Sequence, residues 1–248
     1  EEVWIMSKLW ISEHALEAVP PALGTTLSAL RLEYLDLYLM HWPVALRPGE
    51  RRPGDPLRFV PPDELPIETT WEAMLPLREA GLARHLGVSN FSAAKIRRVH
   101  AATGELPAVD QVELHPYLAQ NALLDAAREM GVVLTAYSPL GTRDSGEMFG
   151  RKDPFRLLDD PVVARIAGAH GATPAQILIA WAVARGTPVI PKSTHEGRIR
   201  ENLAAGAIAL SRDDMADLAA LDRHHRYIDG SFWCGEGSPH TRASLWDE

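Results

Sequence analysis

Val3-Trp4-Ile5-Met6-Ser7-Lys8-Leu9-Trp10 and Leu35-Asp36-Leu37-Tyr38-Leu39-Met40-His41-Trp42 are two short, mostly apolar runs, each closing on a group that can ionise. Their length and composition suit strands buried on both faces, as in a parallel sheet. An unpaired ammonium in such a setting is expensive, since removing one partner of a buried ion pair costs about 3–5 kcal/mol. In a parallel α/β barrel the chemistry is built at the C-terminal ends of strands. Lys8 and His41 therefore read as two parts of one active site.

Outward from these runs, strands are predicted at 2–8, 35–41, 83–88, 109–114, 132–138 and 187–191. Helical stretches are predicted between them at about 13–32, 68–80, 92–103, 120–130 and 161–185, with another near 211–222. Gly81, Gly104, Gly131 and Gly186 follow helical stretches, where a left-handed residue ends a helix. Strands alternating with helices imply a parallel sheet with right-handed crossovers. The fold class expected is α/β, a (β/α)8 barrel with six of its eight βα units visible, forming one domain over 1–248. The two further units would occupy roughly 60–80 residues. An open doubly wound sheet would need no further unit, but no G-x-G-x-x-G turn follows any strand to mark its dinucleotide site. The segments 43–67 and 139–160 are too long for simple turns and read as lids or binding loops or as surface decoration; the tail 227–248, with Trp233 and Trp246, could cover the same barrel mouth.

The bulk composition narrows the function classes. A chain of 248 residues, 46% hydrophobic, can bury one large core. A net charge of −8 argues against nonspecific nucleic-acid binding. Cys234 is the only cysteine, so no intramolecular disulfide can form and a reducing, cytoplasmic setting is expected. No apolar run reaches the roughly 18 residues that span a membrane, and Glu1-Glu2-Val3 has no signal-peptide character. The histidines lack HExxH-type spacing and no G-x-S-x-G elbow occurs, so neither a metal site nor a serine hydrolase is expected.

The strongest local signal is Val189-Ile190-Pro191-Lys192-Ser193-Thr194-His195-Glu196-Gly197-Arg198, a strand end running into a helix start. Two cations and a hydroxyl at a helix N-terminus suit a phosphomonoester dianion; a solvated basic turn is the alternative. Ser89 and Asn90 close a strand, and Gln111 lies inside one. A buried carboxamide needs a hydrogen-bond partner, either a ligand carboxamide or another strand. Tyr137 could stack on a planar heterocycle or simply pack. His41 is a structural histidine or a donor to a carbonyl oxygen, with Trp42 as an apolar wall.

These segments together resemble the aldo-keto reductases. The resemblance rests on Ser7-Lys8-Leu9-Trp10, Leu35 through Pro43, Gly87-Val88-Ser89-Asn90-Phe91, Gln111-Val112-Glu113-Leu114-His115-Pro116, Ala136-Tyr137-Ser138-Pro139-Leu140-Gly141 and Ile190-Pro191-Lys192-Ser193-Thr194, and runs the length of the chain. It implies a barrel that binds NADP(H) in extended form and reduces a small-molecule aldehyde or ketone by hydride transfer, with a monomer as the family default. Ser89, Asn90 and Gln111 would hold the nicotinamide carboxamide, with Tyr137 stacked on the ring. Ser138 and Leu140 would contact the pyrophosphate, Lys192, Ser193, Thr194 and Arg198 the 2′-phosphate, and Glu201 and Asn202 the adenine. Lys8 and His41 match two members of a catalytic tetrad. The other two, a proton-donating tyrosine and an aspartate beside the lysine, lie upstream of the lysine strand in this family, and no residue of this sequence is assigned to them. The expectation is a chain lacking its N-terminal quarter. A nucleotide-binding module without turnover, or an inactive fragment, are the alternative readings.

Overall fold

A computed structural model describes residues 3–49, 58–142 and 154–248. Seven strands are described: β1 (Met6–Leu9), β2 (Leu35–Met40), β3 (Ala45–Leu46), β4 (Phe59–Val60), β5 (Ala83–Ser89), β6 (Val109–Glu113) and β7 (Val133–Tyr137). The helices are α1 (Val19–Leu30), α2 (Ile67–Glu79), α3 (Ala93–Thr103), α4 (Asn121–Met130), α5 (Pro161–His170), α6 (Pro174–Ala184), α7 (Glu196–Ala204), α8 (Arg212–Ala219) and α9 (Arg242–Trp246). The class is α/β, with a five-stranded sheet in the order β1-β2-β5-β6-β7; β3 and β4 form a separate antiparallel pair at the base of the 43–67 connection. The middle of that connection and of 139–160 lies outside the described residues.

The chain divides into two compact units. One comprises Glu1–Gln111, Asp125–Val133 and Gly230–Glu248; the other comprises Val112–Leu124 and Leu134–Asp229. In the first, parallel pairing aligns Lys8 with Leu39, Leu39 with Gly87, and Ser89 with Gln111. Buried Asp36 is the second residue of β2, and its contacts explain why a carboxylate interrupts an apolar run. It accepts from the Ile5 amide at 2.9 Å and from Arg84 at 3.1 Å, joining both neighbouring strands. Gly87 is required where β5 meets its neighbours: a Cβ there would lie 2.5 Å from the Val109 carbonyl oxygen and 2.6 Å from Leu39.

The structure departs from the sequence expectation at three places. The predicted sixth strand, 187–191, is a single bridge between Ala136 and Val189, because Pro188 and Pro191 flank it and lack the N–H a ladder requires. The predicted helix 161–185 is two helices. Gly171 turns left-handed at φ 58°, and Thr173 and Gln176 form a capping box that starts α6 afresh. The stretch 13–32 becomes helical only at Val19, where Pro20 and Pro21 occupy the first turn. The tail carries a 3-10 turn at Ser231–Trp233 and α9. Among the described residues no single helix is long and apolar enough to cross a membrane.

The close approach at Gly87 generates a stability prediction. Gly87→Ala should destabilise the fold by about 1–3 kcal/mol through overpacking against backbone, read as a lower urea midpoint at unchanged slope. An unchanged midpoint would contradict the packing described.

Candidate active site

In the first unit, register brings the predicted residues to one end of the sheet. Lys8 lies in β1, and the His41 amide donates to the Leu9 carbonyl at 3.2 Å just past β2. Asn90 follows β5, and its amide donates to the Gln111 carbonyl at 3.1 Å. The Asn90 side chain donates to the His41 carbonyl at 2.9 Å and to Ser89 Oγ at 3.2 Å, from a left-handed backbone at φ 62°. Ser89 Oγ in turn donates to the Gln111 carbonyl at 2.7 Å. Among the described residues Gln111 Nε2 has only the Met6 sulfur, at 3.3 Å, a weak acceptor that a ligand oxygen would outcompete.

Among the described residues Lys8 has neither an ion pair nor a hydrogen bond, and burial lowers the pKa of its ammonium. It lines a cavity of about 440 Å³ together with Trp10, Glu13, Thr26 and Tyr38. Tyr38, the tyrosine of that cavity, is pushed upward by burial and by Glu13, the direction opposite to what a proton donor needs. His41 is lowered to about 4, first by burial and then by the Lys8 charge. Its imidazole is therefore neutral at pH 7 and offers one N–H and one lone pair. Trp10 meets its ring edge-on at 5.1 Å and Trp42 stacks at 6.5 Å. Phe232, Trp233 and Trp246 pack on Trp42 with centroids 5.6, 6.0 and 5.7 Å away. The end beside His41 is thus walled by aromatic rings, and a polar substrate group there would face the histidine.

The second unit carries the remaining predicted residues. Tyr137 ends β7 half-buried, and Ser138 turns the chain at φ 48° with Thr142 Oγ1 donating to its hydroxyl at 2.9 Å. Leu140 lies half-buried in that turn, and Gly141 faces the Tyr227 ring, which a Cβ would meet at 3.0 Å. Lys192, Thr194, Arg198 and Glu201 are exposed, whereas Ser193 and Asn202 are half-buried. Ser193 Oγ accepts from the His195 amide at 3.0 Å, folding the turn into α7, whose N-cap residue His195 makes no side-chain cap. Arg200 pairs with Glu196 at 2.8 Å. Lys192 and Arg198 make neither an ion pair nor a hydrogen bond among the described residues. Two unspent cations beside uncapped helix amides are the donor set a phosphate dianion needs.

A family model, the aldo/keto reductase family, matches residues 1–223. The chain is 48% identical over its whole length to an aldo/keto reductase of Synechocystis sp., of which it covers 76%. It is 40% identical over 94% of its length to an uncharacterized oxidoreductase of Schizosaccharomyces pombe, covering 72% of it. Against aldo-keto reductase family 1 member A1 of Gallus gallus it is 41% identical over 92% of its length and covers 69% of that protein. The chain belongs to the aldo/keto reductase family. It is therefore a member of an oxidoreductase family.

Two buried groups of this aldo/keto reductase escaped the sequence reading. Glu113 accepts from His115 Nε2 at 2.8 Å and from the amides of Tyr227 and Ile228 at 2.7 and 2.9 Å, pinning a distant stretch of chain. Asp110 accepts from the Phe91 amide at 3.4 Å, and burial raises its carboxyl well above the ordinary range. The available signal was composition: both carboxylates sit in the strand run Asp110 to Leu114, where a strand buried on both faces should be apolar.

His14, His41 and His240 are all held low, at about 3, 4 and 4, with burial the main cause for each. An unfolded chain binds protons at these positions once pH falls below about 6.5, while the folded chain does not. Stability is therefore full above pH 6.5 and declines as pH falls towards 4. His41→Asn should flatten that decline by up to about 1.4 kcal/mol per pH unit. Urea midpoints of both proteins between pH 6.5 and 5 check this; parallel curves would show that His41 is not held neutral.

Proposed function

We propose that this chain is an NADP(H)-dependent reductase of aldehydes and ketones. Its sheet is read as part of a (β/α)8 barrel in one domain, acting as a cytoplasmic monomer on a small-molecule carbonyl compound. The observation that carries the reading is a neutral, half-buried imidazole near a half-buried ammonium that has no partner among the described residues, both at one strand end. Neutral His41 would donate its N–H to the substrate oxygen and orient the carbonyl carbon. Lys8 would stabilise the negative charge that develops on that oxygen, an effect strengthened where water is excluded. When bound, the cofactor would supply the hydride, and the proton that completes the alcohol would come from solvent, since neither His41 nor Lys8 is assigned as its donor. Trp42, Trp10 and Trp233 would form the apolar wall that limits the substrate.

Gln111, with its weakly engaged amide, suits the nicotinamide carboxamide better than Ser89, whose hydroxyl is occupied within the sheet. Asn90 is assigned alongside it, and Tyr137 is assigned to the ring face. Ser138 and Leu140 are assigned to the pyrophosphate. Lys192, Ser193, Thr194 and Arg198 would take the 2′-phosphate, with Glu201 and Asn202 at the adenine. That Lys192 and Arg198 have no partner among the described residues supports a dianion there and favours NADPH over NADH.

The test is NADPH oxidation with aromatic and aliphatic aldehydes. His41→Ala and Lys8→Met should each lower kcat/KM by about a hundredfold or more. Arg198→Ala should raise the NADPH dissociation constant about tenfold, a loss of about 1.4 kcal/mol, and leave NADH nearly unchanged. Wild-type turnover in both strand-end variants would sink the reductase reading; equal losses for the two cofactors would sink the phosphate assignment.

A further inference from the structure

Lys95 lies on α3 in the first unit, and sequence alone gives it no role. Its side chain is only 8% exposed, yet none of its donors is wasted. Nζ donates to the carbonyls of Ser244 and Leu245 at 2.9 and 3.1 Å and to Asp247 Oδ2 at 2.7 Å. An ammonium has three N–H groups, and all three go to the last residues of the chain. Those carbonyls are ones that the final turn of a helix leaves without internal partners. Asp247 itself is left-handed, at φ 57°, and Ser92 also donates to its carboxylate. A five-residue helix would not persist unaided. Lys95 therefore fixes where α9 lies.

What α9 touches gives that position its meaning. Trp246 packs edge-on against Trp42 at 5.7 Å. Leu245 fills the space beside Gly230, where any Cβ would collide with it and would come within 3.6 Å of Trp246 and Trp42. Gly230, left-handed at φ 74°, starts the turn that carries Phe232 and Trp233. Trp233 closes on Trp42 at 6.0 Å and on Trp10 at 6.5 Å, and Trp10 lies against the His41 ring. An unbroken series of contacts runs from the buried ammonium to the aromatic wall beside His41.

We infer that Lys95 is a positioning residue that sets the aromatic wall of the substrate pocket by clamping the end of the chain, and so tunes selectivity for bulky carbonyl substrates. The selectivity part rests on the reductase reading above; the clamp does not. Lys95→Met keeps the stem and removes the donors. In the full chain this should raise acrylamide quenching of tryptophan fluorescence by about half, as the tail opens locally. KM for a bulky aromatic aldehyde should shift about fivefold, while KM for a small aliphatic aldehyde, kcat and the NADPH dissociation constant stay within about twofold. Unchanged quenching would overturn the clamp, and equal KM shifts for both aldehydes would overturn the selectivity role. Should Lys95→Met fail to fold, Asp247→Asn removes the ionic contact from the more exposed side and must give the same pattern at smaller amplitude. A wild type without turnover would refute the reductase reading alone, and the quenching comparison would still decide the clamp.

Discussion

Leu39 pairs with Lys8 on one side and Gly87 on the other, while Ser89 pairs with Gln111 one strand further on. Parallel register of this kind admits no slippage, because a shift of one residue would exchange every side chain between the two faces. It is held at the start of β2 by Asp36, which grips the strands on either side. It is held near the far end by Gly87, which lets backbone approach where a side chain would intrude. Four segments far apart in sequence thus present Lys8, His41, Asn90 and Gln111 at one end of a sheet. No single residue in that group could do this alone.

Electrostatics then gives the two ionisable members different states. Burial disfavours charge on both, but a histidine with an ordinary value near 6.5 yields first, and the neighbouring ammonium pushes it further. Lys8 is lowered by the same burial, so its positive charge too is held against desolvation. The outcome is a neutral hydrogen-bond donor beside a cation, two functions suited to polarising a carbonyl without supplying a mobile proton. The same burial, with Glu13, moves the Tyr38 hydroxyl upward, away from the lowered value that eases proton donation.

The alternation of strands and helices was legible because apolar runs and helix-ending glycines leave local signatures. Six predicted strands became five and a bridge, since proline at 188 and 191 denies a ladder its donors. The division between α5 and α6 was also written locally, in Gly171 and the Thr173–Gln176 box. Lys8 and His41 stood out as charges at the ends of apolar strands. Lys95 and Glu113 did not, because an amphipathic helix is expected to carry lysine and because Glu113 sits in a strand already marked by Gln111. Their partners lie about 150 and 114 residues away, and no local pattern encodes a contact of that span.

Those two residues share one physical logic with opposite sign. Glu113, buried in one unit, takes backbone N–H groups from Tyr227 and Ile228; Lys95, buried in the other, takes backbone carbonyls from Ser244 and Leu245. Irregular chain has unpaired donors and acceptors that a sheet or long helix would satisfy internally. A buried ion with several hydrogen-bonding positions can satisfy two or three of them at once. It also fixes the segment more narrowly than apolar contact, which tolerates sliding. A hydrophobic replacement of similar volume could match such an ion in stability, so stability does not explain its use. Placement does: each ion sits where a late segment of the chain must be held at a defined point, the Tyr227 ring against Gly141 in one unit and the Trp233 turn against Trp42 in the other.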